Sequence, residues 1–149
     1  FYGFPRKEFN FWWDAEAARK VLRSPWPRIV ITTVDISMKT KITKEMMAQI
    51  AKSNAPAAQY VSRYAGEGYM WDELAAAAWL DPSLITKKEP LFWDVSVDRG
   101  ISYGDSLVFT PGEQPGLGEQ SAETQEDLDL PRLNHLFIEL MTRPTPAKP

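Results

Sequence analysis

The chain has 149 residues, 44% of them hydrophobic and 25% charged, with a formal net charge of −3 and no cysteine. A globular chain of this size buries roughly 70% of the surface it exposes when unfolded, so a core of ordinary size is available and the composition is not that of a disordered chain. No run of about 18 apolar residues is present to span a membrane, no disulfide framework or thiolate metal site is possible, and the mild acidity argues against non-specific nucleic-acid binding.

The chain opens Phe1-Tyr2-Gly3-Phe4 without an initiator Met, which reads as a processed chain or a fragment. Around Phe9 and Phe11, the polar Glu8 and Asn10 alternate with period two. That pattern predicts a strand end or extended loop with Glu8 and Asn10 on one side. Asp14 is placed to cap a helix from Ala15 to about Leu22, with acids early and bases late as the helix dipole favours; Ser24-Pro25-Trp26-Pro27 stops it. The β-branched run Ile29-Val30-Ile31-Thr32-Thr33-Val34 predicts a strand buried on both faces in a parallel sheet, with Asp35 at its carboxyl end.

Thr43 is expected to cap a helix through Met46, Met47 and Ile50, and a further helix runs from Ala55 to Ala65. After the Gly66-Glu67-Gly68 loop, Trp71-Asp72-Glu73-Leu74-Ala75-Ala76-Ala77-Ala78-Trp79-Leu80 reads as an Ala-rich helix capped by Asp72 and ended by Asp81-Pro82. Leu91–Val97 and Gly104–Thr110 read as two more strands, antiparallel or at an edge, and 110–126 as a polar loop. An amphipathic helix from Leu130 or Pro131 to about Met141 precedes a Pro-rich tail expected to be disordered. The alternation of helices and strands places the chain in the α/β class.

Several chemistries are absent. No Ser-His-Asp or Cys-His arrangement exists, because the single His135 sits in the last helix; there it reads as a surface or partly buried residue. No phosphate-cradling Gly-rich turn is present. Asp72 has two readings: a helix cap with Trp71 packing ahead of it, or a hard oxygen ligand for Ca²⁺ that needs further acids from elsewhere. Trp71 would flank such a site as a stacking surface for a planar base. Glu8 and Asn10 are either a polar strand edge or a carboxylate and amide suited to sugar hydroxyls, which both donate and accept.

Glu8-Phe9-Asn10-Phe11-Trp12-Trp13-Asp14-Ala15-Glu16-Ala17-Ala18 resembles the E-F-N-F-x-x-D-P-E-A-A signature of the calcium-dependent nucleoside hydrolases, and Trp71-Asp72-Glu73-Leu74 with Leu80-Asp81-Pro82 resembles that family's second block. The strand into Asp35, the Tyr103-Gly104-Asp105 turn and Asp129-Leu130-Pro131-Arg132 are similar as well. The resemblance implies that Glu8 and Asn10 bind ribose hydroxyls, that Asp72 is a Ca²⁺ ligand, and that Trp71 stands where many members carry a general-acid His. Trp at that position implies the purine-leaning class, in which the base is stacked. The implied activity is hydrolysis of the N-glycosidic bond of ribonucleosides, on a mostly parallel open sheet with flanking helices. The alternative reading is a non-catalytic nucleoside- or ribose-binding module, or a structural remnant of the fold.

The chain departs from the family pattern in one major respect: no Asp-rich DTDxGxDD-type segment, source of the remaining Ca²⁺ carboxylates and of the general base, occurs in it. Residues 1–142 are therefore expected to be the carboxyl-terminal portion of one nucleoside hydrolase domain and 143–149 the tail. The stretch Tyr2–Lys7 offers no Asn for a further ribose contact, and Ala15 replaces the signature Pro. Such a portion is expected to be inactive alone, and the intact protein to take a small ribonucleoside, to form a homo-oligomer, and to bind neither nucleic acid nor membrane. Localisation is left open, with the cytoplasm as the default.

Overall fold

The computed structural model describes residues 7–144. The expectations for the residues before Lys7 and for 145–149 of the tail lie outside the described residues.

Helices begin where the sequence supplies an acceptor for the free amides of a first turn. Helix α1 (Phe9–Trp13) starts at Glu8, whose Oε2 accepts from the Phe11 amide at 3.1 Å. Asp14 ends α1 and starts α2 (Ala15–Arg23) by accepting from Ala17 N at 2.9 Å. Thr33 caps the short α3 (Val34–Ser37), Thr43 caps α4 (Lys44–Ile50), and Pro56 opens α5 (Pro56–Tyr64), where its missing N–H leaves no bond unmade. Helix α6 spans Asp72–Leu80 and is followed by a single 3-10 turn, Pro82–Leu84, capped by Asp81. Helix α7 (Leu130–Thr142) starts at Asp129, which accepts from Arg132 N at 3.1 Å.

Strands β1 (Val30–Thr32), β2 (Ile85–Val95), β3 (Ser106–Phe109) and β4 (Ser121–Leu128) form one sheet in the order β1-β4-β2-β3. The α/β class holds, but the sheet is mixed and mostly antiparallel rather than mostly parallel. The reason is visible between β2 and β3: a short connection turns the chain back through Gly104 at φ +81, pairing Phe92 with Phe109 and Val95 with Ser106. Antiparallel neighbours need only such a turn, whereas parallel ones need a crossover of a dozen residues or more.

Four further expectations are corrected. The β-branched run forms a strand of only three residues at the sheet edge, with Val30 exposed, because the Thr33 side chain starts a helix at Val34. Asp35 therefore lies on a helix, not at a strand end. Residues 121–126, the end of the expected 110–126 loop, belong instead to the interior strand β4. Glu8–Phe11 is a helix start and not an extended segment.

The chain divides into two compact units. The first comprises the residues up to Ile31 with Lys88–Gln125. Its core is Ala15, Leu22 and Val95, with Phe11, Ala18, Trp93 and Val97 packed around them, so one face of α1 and α2 is closed on β2. The second comprises Thr32–Lys87 with the residues from Glu126 onward, and is mainly helical. Ile36, Met46, Ile50, Met70, Leu74, Leu84, Leu133 and Phe137 make its core, where α4, α5, α6 and α7 meet. Among the described residues no helix is long and apolar enough to cross a membrane.

Candidate functional site

In the first unit, Glu8 is half-buried at the start of α1 and Asn10 is exposed in its first turn. Only Oε2 of Glu8 is engaged, by the Phe11 amide, so Oε1 has no partner among the described residues, and neither has the Asn10 amide group. The pair thus offers free acceptors and a free donor, the set that sugar hydroxyls require. Helical geometry replaces the expected alternation: Phe11 turns inward to meet the Trp93 ring edge-on at 6.2 Å, while Phe9 stays exposed against Trp13 at 5.3 Å.

The segment is held from several sides within its unit. The Lys7 backbone forms an isolated antiparallel β-bridge with that of Asp105. Glu16 of α2 accepts from the Tyr103 hydroxyl and from Arg99 Nη2 at 2.8 Å. The Tyr103 hydrogen bond pulls the Glu16 carboxyl below its ordinary range, and the same bond raises the tyrosine. Gly104 lies so close to α1 that a Cβ there would stand 2.8 Å from Trp12 Cα.

In the second unit, Trp71 and Asp72 lie at the start of α6. The expected capping role of Asp72 is not what forms. Trp71 occupies the cap position at φ −75, ψ −74 with no side-chain cap bond, and Asp72 is the first helical residue. Its carboxylate is exposed, favoured by the helix dipole, and without a hydrogen bond or ion pair among the described residues. Trp71 is 42% exposed and leans on Tyr69, with ring centroids 5.3 Å apart. The chain before it is anchored by Thr40, fully buried, whose Oγ1 accepts from Met70 N at 3.1 Å and donates to Ser37 O at 2.7 Å. Behind the helix start, Leu74, Ala77 and Ala78 are buried. At its other end Asp81 pairs with Arg132 of α7 at 2.6 Å, joining two segments that the sequence singled out separately. The Ser83 hydrogen bond, before the Arg132 charge, lowers the Asp81 carboxyl.

Asp72 is a donor of the class Ca²⁺ takes, but no group of three or more His, Cys, Asp or Glu that could hold a metal exists among the described residues. Against an ion that takes about six to eight oxygens, the described residues do not make a calcium site by themselves. His135 is exposed on α7.

A buried ionic group was not foreseen. Asp94 of β2, 3% exposed, accepts from Arg19 Nε at 3.2 Å and from Arg23 Nη2 at 2.6 Å. Its sequence signal is a lone acid inside Leu91-Phe92-Trp93-Asp94-Val95, with two arginines four apart on α2.

No curated protein matches the chain by sequence. Solved structures do match by fold. A plant nucleoside hydrolase gives a TM-score of 0.80 at 22% identity, covering 94% of this chain and 49% of its own. The purine-preferring ribonucleoside hydrolase from Gardnerella vaginalis gives 0.75 at 20% identity, covering 92% and 46%. The inosine-uridine preferring nucleoside hydrolase from Bacillus anthracis gives 0.70 at 21% identity, covering 91% and 42%. This chain therefore spans a little under half the length of these solved proteins. The family model for inosine-uridine preferring nucleoside hydrolases matches residues 3–134, taking in both motif blocks. The chain belongs to the nucleoside hydrolase family.

Proposed function

We propose that this chain is the carboxyl-terminal portion of a nucleoside N-ribohydrolase domain, residues 1–142, acting within a longer polypeptide to release the base from purine ribonucleosides. The observation that carries the reading is the family match over 3–134, which includes Glu8-Phe9-Asn10 and Trp71-Asp72 together. Cleaving an N-glycosidic bond builds positive charge on the ribose, so the sugar must be held, a water activated and the leaving base accommodated.

Each named residue has a group, unengaged among the described residues, that is suited to its part. Glu8 presents Oε1 and Asn10 its amide to ribose hydroxyls, fixing the sugar's orientation. Trp71 presents an exposed indole face on which a purine stacks, a contact of about 1–3 kcal/mol in comparable single-base stacking. Asp72 contributes one carboxylate to Ca²⁺; when bound in the intact protein, the ion supplies a more acidic water and a hold on the sugar diol. Its remaining oxygens and the general base come from outside the described residues.

The test is a base series on the full-length protein. Inosine, adenosine and uridine are compared for wild type and Trp71→Ala, with calcium and after chelation. Calcium-dependent hydrolysis, with the purine advantage falling about tenfold or more in Trp71→Ala, is the expected result. Base preference unchanged by the substitution refutes the stacking role. Ribose binding without turnover at any base favours the non-catalytic module.

A further inference from the structure

Helices α1 and α2 are closed on β2 chiefly by Phe11, Ala15, Ala18 and Leu22. Apolar contact of this kind is non-directional and fixes a helix against a strand without fixing its rotation or its position along the strand. Charge does the latter. One buried carboxylate, Asp94, ties two successive turns of α2: Arg19 Nε lies 3.2 Å from Oδ1, while Arg23 reaches Oδ1 with Nε at 3.4 Å and Oδ2 with Nη2 at 2.6 Å. The Arg23 contact is the forked, two-point type that sets orientation as well as distance. Glu119, its side chain fully buried, stands behind: Oε1 is 3.7 Å from Arg23 Nη2 and makes no hydrogen bond among the described residues. Helix α2 is joined to α1 through a single residue, Asp14, and Phe11 of α1 packs into the same small core as Ala15 and Leu22 of α2, so a displacement of α2 is carried to the segment that holds Glu8 and Asn10.

We propose that Asp94 is a positioning residue for the ribose-contacting segment: through Arg19 and Arg23 it sets where α1 presents Glu8 and Asn10. The proposal rests on the reading of those two residues as ribose contacts, and it assigns a buried acid with no substrate contact a role in sugar discrimination.

The test uses the full-length protein with Asp94→Asn, which keeps shape but removes charge, and Arg19→Gln, a milder change on a side chain 28% exposed that remains informative if the first variant does not fold. Hydrogen exchange over residues 8–14 is measured alongside kcat/KM for inosine and its 2′-, 3′- and 5′-deoxy analogues. Exchange in 8–14 is expected to rise about tenfold, and the preference for inosine over the analogue that wild type rejects most to fall about tenfold, because displacement of a positioning group by about 1 Å costs rates of that order or more. A merely structural ion pair would lower kcat/KM for all four substrates in parallel, and that result overturns the proposal. So does unchanged exchange in folded variants. Asn10→Ala serves as the reference: if it leaves the sugar preference intact, the ribose reading itself fails, which is distinguishable because exchange still reports on the Asp94 tie.

Discussion

Gly104→Ala probes the closest approach in the first unit. Gly104 sits at φ +81, in the left-handed region that costs an L-residue about 1–2 kcal/mol. A Cβ built there also meets Trp12 Cα at 2.8 Å and Trp12 Cδ1 at 2.9 Å. The first of these neighbours is backbone, so relief requires α1 itself to move, and overpacking of this kind costs about 1–3 kcal/mol. The sum is a loss of about 2–5 kcal/mol. Gly116 supplies the control: at φ +73 it carries the same backbone strain, but nothing lies within 4 Å of its Cβ position. Gly116→Ala is therefore expected to cost about 1–2 kcal/mol, and the entropy change of the unfolded chain is common to both. Urea unfolding of the full-length protein and the two variants, compared at equal slopes, measures the difference. If Gly104→Ala costs no more than Gly116→Ala, the close packing of the β2–β3 connection on α1 is wrong.

Other consequences are open to measurement. Thr40→Val leaves the buried Met70 amide without its acceptor, an expected loss of about 1–3 kcal/mol with faster exchange at Met70; unchanged exchange would contradict the anchoring of the chain before Trp71. Glu123, held by Arg28 first and Lys88 second, has its carboxyl lowered from 4.5 to about 2. A carboxyl depressed in the folded state stabilises above its unfolded value, so this contribution is present above about pH 4.5 and is lost as pH falls towards 2. The group is partly exposed, so the effect is small and diminishes with salt. Glu123→Gln flattens the acid limb of the unfolding midpoint over that window; identical acid profiles would refute the assignment.

Much of the helical framework was legible because its signals are local. Asp14, Thr43, Pro56 and Asp129 each mark a helix start by a side chain or ring acting within one turn. The sheet was less so. Strand β4 reads Ser-Ala-Glu-Thr-Gln-Glu-Asp-Leu, with small or polar residues at its buried positions 122, 124 and 125. Its acids are matched by Arg28 and Lys88 on Glu123 and by Lys39 on Asp127. Such matching depends on residues far away in sequence, and no period-two apolar pattern announces it. Conversely, Ile29–Val34 carries the β-branched pattern of an interior strand, yet Thr33 diverts the chain into a helix and leaves β1 at an edge.

At the candidate site the motif blocks did not foretell the conformation of the residues they contain. Phe9 and Phe11 alternate as in a strand, and the Glu8 side chain nonetheless closes a helical turn. Asp72 has the chemistry of a cap, but its carboxylate makes no hydrogen bond or ion pair among the described residues while Trp71 takes the cap position. The tie of Asp94 to Arg19 and Arg23 spans 75 and 71 residues of sequence, beyond the reach of any local pattern.

The central claim is that these residues serve a ribonucleoside hydrolase, and the most direct measurement is release of free ribose from inosine by the full-length protein, with Asn10→Ala and Asp72→Ala as companions. Ribose release by wild type, reduced about a hundredfold or more in both variants while each still unfolds cooperatively, is the result expected. No release from any ribonucleoside, or release that both variants leave unchanged, would contradict the assignment.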